Sequence, residues 1–152
     1  MNYEHTQHAP LHLLLHVLGA GTLIGGWAGF DEMPFMTAIL VPVGILFSLL
    51  GLMFAHLSVF DEGESLAVKF GPLRLFGTRV QYAEISSVQA ARSKLIDGWG
   101  IHKIPGRGWT FNLWGYDCVE LIVNGRLLRI GTDDVENLLQ FLQSRATGDT
   151  SG

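Results

Sequence analysis

The sequence predicts an α+β membrane protein, in which an N-terminal hairpin of two transmembrane helices precedes a small bent β-sheet or barrel closed by a C-terminal helix. The first 60 of the 152 residues contain no Lys or Arg and three acidic residues, whereas the remainder holds all ten basic and eleven acidic residues. Beyond residue 58, short apolar segments separated by Gly, Pro and Asn replace long apolar runs, as is typical of strands and turns. We therefore expect a tail over residues 1–10, a transmembrane hairpin over 11–57, a β domain over 58–146 and a disordered tail over 147–152.

The helical hairpin is predicted from two uncharged runs. The run from Leu11 to Phe30 has twenty residues, enough to cross about 30 Å of hydrocarbon as a helix. A second uncharged run extends from Met33 to Phe60 and is more than long enough to span. The short segment FDEMP between them forces an antiparallel hairpin, and aromatic residues cluster near it, as at a membrane interface.

Charge distribution predicts orientation and excludes one class of partner. Because every Lys and Arg follows the second helix, the positive-inside rule places both termini and the β domain in the cytoplasm. The β portion carries ten basic against eleven acidic residues, a net charge of minus one, so no global positive field draws nucleic acid. Cys118 is the single cysteine, which excludes an intramolecular disulfide.

A glycine stripe on the first helix predicts close helix packing. Gly21, Gly25 and Gly29 recur every four residues, so they share one helical face that a neighbouring backbone can approach closely. The second helix offers a similar stripe of small residues, namely Gly44, Ser48, Gly51 and Ala55. Packing within one hairpin is the favoured interpretation, and a homo-oligomer through the glycine face is the alternative.

Eight strands and one helix are expected in the β domain. The strands are predicted at Leu66 to Phe70, Leu73 to Phe76, Thr78 to Tyr82, Ser87 to Arg92, Gly100 to Ile104, Thr110 to Trp114, Cys118 to Val123 and Arg126 to Ile130. Asn124-Gly125 favours a type I′ hairpin turn between the last two. A helix from about Asp134 to Arg145 presents one apolar stripe of Val135, Leu138, Leu139 and Leu142. Asp133 with Glu136 suits a capping box, and Thr132 offers an alternative cap.

Two stretches carry a resemblance to a known family. They are YAEISSVQAARSKLIDGWGI and GWTFNLWGYDCVELIVNGRLLRIGTDDVENLLQFL, and the most distinctive parts are residues 98–101 and 129–133. Over residues 58–145 the chain resembles bacterial pleckstrin-homology-like (PH-like) domains that follow paired transmembrane helices. The resemblance implies a seven-stranded bent barrel with a C-terminal capping helix, in the bacterial inner (cell) membrane. It implies no shared catalytic residues, and fold does not define function.

Histidines are the sharpest candidate for a cofactor site. His5, His8, His12 and His16 are spaced by three, four and four residues, so an early helix start would place them on one face. An antiparallel hairpin returns His56 to the same leaflet, where neutral imidazoles can bind a metal ion or haem iron. Interfacial histidines without a metal are the favoured interpretation, because the first nine residues are expected to fray.

Basic and aromatic residues form a second candidate set, for a lipid headgroup or a protein partner. Lys69, Arg74 and Arg79 surround the first strands and could line an anion pocket, although strand alternation favours different faces and solvated side chains. Trp99, Trp109 and Trp114 lie close together in a glycine-rich stretch, where an exposed subset would dock a peptide and the rest would be core or cover the bilayer surface.

The sequence favours a non-enzymatic function. It contains no P-loop, G-x-S-x-G, H-E-x-x-H or C-x-x-C motif. We expect a membrane-anchored interaction module that needs no cofactor and binds the bilayer, with a protein segment or a lipid headgroup as its partner at the cytoplasmic surface. The alternative is a membrane protein that binds a metal or haem through His8, His12, His16 and His56.

Overall fold

The computed structural model describes residues 2–94, 99–106 and 108–147. In chain order, the helices and strands are β1 (Glu4–His8), α1 (Leu11–Ala28), α2 (Pro34–Met53), β2 (His56–Asp61), β3 (Ser65–Phe70), β4 (Phe76–Gln81), β5 (Ile85–Arg92), β6 (Gly100–Ile104), β7 (Gly108–Asn112), β8 (Asp117–Val123), β9 (Arg126–Gly131) and α3 (Val135–Thr147). A 3-10 turn, Tyr82–Glu84, separates β4 from β5. The expected α+β composition is confirmed, with two apolar helices near the N-terminus.

Two separate sheets form the β domain, in place of the predicted barrel. Sheet A has the order β1-β2-β3-β4 and is antiparallel throughout, whereas sheet B has the order β5-β8-β9-β7-β6 and contains one parallel pair, β7 with β9. Neither sheet closes on itself within the described residues. The chain passes from one sheet to the other at the 3-10 turn, and both sheets contribute to one hydrophobic core.

The N-terminal segment is a strand, and the prediction of a frayed tail is wrong. β1 pairs with β2 in antiparallel register, from Glu4 opposite Phe60 to His8 opposite His56. The second helix is also shorter than predicted. It ends at Met53, and the uncharged run continues into β2. A run without charges does not distinguish a transmembrane helix from a buried strand that follows it.

Every predicted strand of the β domain has a counterpart in the structure except the one at Leu73 to Phe76. Residues 71–75 form a turn, in which Gly71 and Arg74 both have positive φ, and β4 begins at Phe76. The predicted hairpin turn is consistent with the structure, since Asn124 and Gly125 have φ values of 49° and 72°.

The C-terminal helix closes the core with a slightly different stripe from the predicted one. Leu138, Phe141 and Leu142 are buried, whereas Val135 and Leu139 are partly buried. Just before the helix, the backbone N–H of Asp134 donates to the Thr132 hydroxyl at 3.0 Å, which forms a turn that leads into Val135. The buried positions follow the 3.6-residue helical period, but the centre of the buried stripe is Phe141 and not Leu139 as predicted.

The two apolar helices pack closely through small residues. A Cβ atom at Gly44 would lie 2.6 Å from Leu23 Cγ, and one at Gly19 would lie 2.6 Å from Ser48 Oγ. At the other end, the Thr37 hydroxyl donates to the Gly26 carbonyl at 2.9 Å. Packing within one hairpin is therefore present, with backbones in close approach.

The packing glycines of α1 differ from the predicted stripe. Gly19 and Gly26 are buried against α2, whereas a Cβ at Gly21 would meet no atom within 4 Å. A Cβ at Gly25 would make an ordinary contact of 3.8 Å with Leu40, and a Cβ at Gly29 would lie 4.0 Å from Thr37 Oγ1. Gly19 and Gly26 are seven residues apart, which is about two helical turns. Both therefore lie on the side of α1 that faces α2.

Candidate membrane-facing and partner-binding surfaces

Two short links join the helical hairpin to sheet A. Ala9 and Pro10 connect β1 to α1, and Phe54 and Ala55 connect α2 to β2. Because β1 and β2 pair with each other, the two helices emerge from adjacent strands at one edge region of the same sheet. We call this the helical end of the β domain, defined by the paired residues His8 and His56.

The β3–β4 loop, residues 71–75, lies at the helical end beside the last turns of α2. Its Leu73 and Leu75 side chains are 70% and 71% exposed. Together with Leu49, Leu52 and Met53 of α2, they line an apolar groove of about 270 Å³. The sequence does not reveal this surface, because its apolar pattern predicts a strand at Leu73 to Phe76.

Gly71 holds the loop against the helix. Its φ is 65°, and a Cβ there would lie 2.8 Å from the Leu52 carbonyl oxygen, so both conformation and space require glycine. The Gly71 N–H donates to the His56 carbonyl at 2.8 Å, and the Arg74 N–H donates to the Gly71 carbonyl at 3.2 Å. The loop is therefore a fixed turn that touches both α2 and β2.

Lys69 and Arg79 share the outer face of sheet A. Lys69 is the cross-strand partner of Ser58 and Gly77, whereas Arg79 pairs with Ala67. Residues two apart on a strand point to the same face, so both side chains lie on the side opposite the core. The favoured expectation of different faces is wrong for this pair.

The third base reaches the same face from the loop. The Arg74 guanidinium lies 4.7 Å from the centroid of the Phe60 ring, which belongs to the outer face of β2. Arg79 instead makes two hydrogen bonds to the Glu62 carboxylate, at 2.6 and 3.2 Å. Those bonds lower the pKa of Glu62 and raise the pKa of Arg79. The three bases therefore share a face without converging on one pocket.

Two of the three tryptophans in the second candidate set stack on each other at the helical end. The rings of Trp99 and Trp114 are 4.5 Å apart at 28°. The Trp114 carbonyl accepts a hydrogen bond from Gln7 of β1 at 3.1 Å, and a Cβ at Gly100 would contact the Phe54 ring at 3.5 Å. Both rings are partly exposed, so they form an aromatic surface next to the helices.

The third tryptophan lies apart from that pair, in a groove between the two sheets. Trp109 stacks on Phe111 at 6.2 Å, while Arg79 of β4 and Arg126 of β9 line the same groove of about 380 Å³. β7 begins near Trp109 and ends at Asn112, which pairs with Gly100 at the helical end, so the groove lies away from the helices. We call it the distal groove.

The histidines separate into pairs and do not converge. His8 and His56 are cross-strand neighbours with ring centroids 5.8 Å apart, and His12 and His16 are 6.2 Å apart on α1. His5 donates to the Asp133 carboxylate. Among the described residues, no group of three or more His, Cys, Asp or Glu side chains could hold a metal ion. The expected common face is lost because β1 replaces an early helix start.

Each histidine pair has local partners. His12 Nδ1 donates to the Ala9 carbonyl at the start of α1, and the His16 ring occupies the space beside Gly51, where a Cβ would lie 2.7 Å from it. Burial lowers the pKa of His56, and the neighbouring His8 and Arg74 lower it further. Arg74 is therefore a permanent positive charge close to His56.

A buried ionic cluster, which sequence reasoning missed, joins α3 to sheet A. The Asp61 side chain is buried and accepts hydrogen bonds from the Tyr82 hydroxyl at 2.7 Å and from Arg145 of α3. Burial alone would raise the pKa of Asp61, but these bonds, the Gly63 N–H and the Arg145 charge hold it below its usual value. Asp61 and Arg145 are 84 residues apart, so no local pattern connects them.

Two helices, Leu11–Ala28 and Pro34–Met53, are long and apolar enough to cross a membrane. Only 11% and 17% of the residues in their most apolar windows are buried in the protein. No protein-family model matches the chain, and no curated protein matches it either.

Proposed function

We propose that the chain is a non-enzymatic, membrane-anchored interaction module. α1 and α2 span the bilayer as a hairpin, and the β domain is held in one orientation at its surface. The observation that carries this proposal is an exposed apolar helix pair that continues directly into the paired strands β1 and β2. Because each link is two residues long, the β domain cannot swing far from the bilayer.

Exposure of the helices supports bilayer insertion over burial in a soluble core. A helix in a soluble core hides its apolar side chains, whereas α1 and α2 present theirs around most of the hairpin. α2 has 20 residues, or about 30 Å at 1.5 Å per residue, which matches the hydrocarbon thickness. Trp27, Phe30 and Phe35 surround the turn, as an interfacial aromatic belt would.

The proposed location is the bacterial inner (cell) membrane, with both termini and the β domain cytoplasmic. The absence of Lys and Arg before residue 61 supports this orientation through the positive-inside rule. Two sheets that share a core with a C-terminal helix support a PH-like relationship, with β1 as an addition from the N-terminal segment. The face of α1 around Gly21 is open to a second copy of the chain.

The distal groove is the proposed site for a protein segment. It combines the partly exposed Trp109 with Arg126, so it offers an apolar platform and a positive charge to an acidic segment, while Arg79 in the same lining is paired with Glu62. β4 is an edge strand of sheet A among the described strands, and an extended segment can pair with such an edge. Tethering to the membrane raises the effective concentration of a similarly tethered partner.

Membrane fractionation with topology reporters tests the anchoring. The full chain should stay with membranes after alkaline carbonate extraction. A reporter after Gly152 should be cytoplasmic, and one between Asp31 and Glu32 should face the opposite side. Release by carbonate, or both reporters on one side, would refute the transmembrane hairpin.

Site-specific photo-crosslinking tests the distal groove. A benzophenone amino acid at Trp109 should give a crosslinked protein in cells, and the charge reversal Arg126→Glu should reduce its yield. The same probe at Ser87, an exposed β5 residue outside the groove, is the matched control. Equal crosslinking from both positions would remove the distal groove as the binding site.

A further inference from the structure

We propose that the β3–β4 loop is a bilayer-docking element, which places Leu73 and Leu75 among the acyl chains and Arg74 and Lys69 at the phosphates of anionic lipids. This inference rests on the proposed transmembrane hairpin and names the lipid surface as the partner of the helical end. In this proposal a protein partner binds at the distal groove, away from the lipid surface.

The depth of the loop follows from its contact with α2. If α2 spans the hydrocarbon, its final residues Leu49, Leu52 and Met53 lie at the hydrocarbon boundary. Leu73 and Leu75 line one apolar groove with these residues, so the loop lies at the same depth. The Gly71 N–H donates to the His56 carbonyl, and Gly71 packs too closely against the end of α2 to leave room for a Cβ, so the loop cannot fold away without losing this bond and this packing.

The bilayer is the occupant that best fits these leucines. They are among the most exposed large apolar side chains of the β domain, and they adjoin a helix whose outer surface is already apolar. The lipid-facing surface of α2 therefore continues onto the loop without a polar boundary. Trp99 and Trp114 stack at the same end, where amphipathic rings suit the headgroup region.

The positive charges of Arg74 and Lys69 lie farther from the helices than Leu73 and Leu75 do. Arg74 stands between the two leucines in sequence, but its guanidinium extends along the outer face of sheet A to the Phe60 ring. Lys69 is on the same face, opposite Ser58, and His8 and His56 lie beside them. No carboxylate among the described residues forms an ion pair with Arg74. An apolar stem with its charge at phosphate level is the arrangement by which Arg and Lys reach a membrane interface.

Fluorescent probes in lipid nanodiscs test the docking. The full chain, in a Cys118→Ala background, carries a single cysteine labelled with an environment-sensitive dye at Leu75, Ile45 or Ser87. The first position reports the loop, the second the lipid-facing surface of α2, and the third an exposed side chain of β5, the strand that packs on α3. Nitroxide-labelled lipids then quench any dye that enters the bilayer.

The expected result is blue-shifted emission and strong quenching at Leu75 and Ile45, with neither effect at Ser87. Quenching at Ile45 without quenching at Leu75 would overturn the docking while leaving the transmembrane hairpin intact. A blue shift at Leu75 without lipid quenching would show that protein covers the loop, which also overturns it. Loss of quenching at Ile45 would refute the hairpin and therefore the proposed function.

A lipid comparison tests the headgroup assignment. Quenching at Leu75 should be stronger in nanodiscs that contain phosphatidylglycerol than in phosphatidylcholine alone. The double variant Lys69→Gln with Arg74→Gln should remove that difference, whereas Lys103→Gln, an exposed change on β6, should keep it. Equal quenching in both lipids for the parent protein would overturn the assignment of anionic lipid.

Discussion

Tyr3 provides the clearest test of the finding that the N-terminal segment belongs to the β domain. Its side chain is 8% exposed, stacks on Phe141 of α3 at 5.4 Å, and donates a hydrogen bond to Asp134 at 3.2 Å. Burial and the neighbouring Asp134 raise the pKa of its hydroxyl, which is a protonated donor at physiological pH as an ordinary tyrosine is. Tyr3→Ala should therefore loosen β1 and α3 together.

The magnitude follows from the contacts removed. Truncating a buried aromatic side chain to alanine costs about 3–5 kcal/mol of unfolding free energy, through lost transfer energy and a residual cavity. Tyr3→Phe keeps the stacking on Phe141 and removes the hydrogen bond to Asp134, so it should cost about 0.5–1.5 kcal/mol. Glu4 is exposed on the opposite face of β1, and Glu4→Ala should change stability by less than about 0.5 kcal/mol.

Urea unfolding of the full chain in nonionic detergent measures these differences, with near-ultraviolet circular dichroism following tertiary structure in the β domain. Midpoints are compared at equal slope. If Tyr3→Ala and Glu4→Ala have equal and small effects, β1 does not contribute to the core and residues 1–10 behave as a tail.

A pair of truncated chains extends the same test. A fragment of residues 58–147 lacks β1 and the start of β2, so we expect it to be unfolded or much less stable. A chain that joins residues 2–9 to residues 55–147 through an Asn-Gly turn keeps the antiparallel register and should fold without the helices. Equal stability of the two chains would contradict the role of β1.

Three further predictions address the core, the hairpin and the buried charge. Leu138→Ala should cost about 2–4 kcal/mol in the same urea assay, whereas Leu139→Ala at a partly buried site should cost about 1 kcal/mol; the reverse order would contradict the observed stripe. Gly44→Leu should force α1 and α2 apart and cost about 1–3 kcal/mol in thermal unfolding followed by helical circular dichroism. Gly21→Leu, which meets open space, should cost little, and an equal loss would place the glycine contact elsewhere. Because the folded protein holds the pKa of Asp61 below its unfolded value, its contribution is complete above about pH 4 and is lost as pH falls through the folded pKa. Asp61→Asn should cost about 1–3 kcal/mol at neutral pH and should flatten that acid loss in pH-dependent urea titrations; an unchanged acid profile would exclude Asp61 as its source.

Local patterns predicted much of the architecture because they depend on neighbouring residues. The two apolar runs, the Asn124-Gly125 turn and the amphipathic period of α3 are each contained within a short stretch of chain. The same locality explains the errors at element ends, since an uncharged run continues from α2 into β2 without a change in composition. The strand predicted at Leu73 failed for a similar reason, because positive φ at Gly71 and Arg74 turns an apolar segment into a loop.

The candidate site was recognised in its residue types but not in its grouping. Lys69, Arg74 and Arg79 share a face only because the register of β2, β3 and β4 brings them there. The tryptophans separate into a stacked pair and the distal groove because β6 and β7 run away from the helices. Neither arrangement follows from spacing along the chain.

By itself, the sequence determined that this protein has two apolar helices followed by a charged domain of strands and one helix, because hydrophobic period and turn chemistry act within a few residues. The tertiary structure decided how the parts are joined. Pairing of β1 with β2 across more than forty residues of helical hairpin makes the N-terminus part of the core. That pairing depends on backbone hydrogen bonds between distant segments and on the burial of Tyr3 against Phe141, and such contacts leave no periodic signal in either segment.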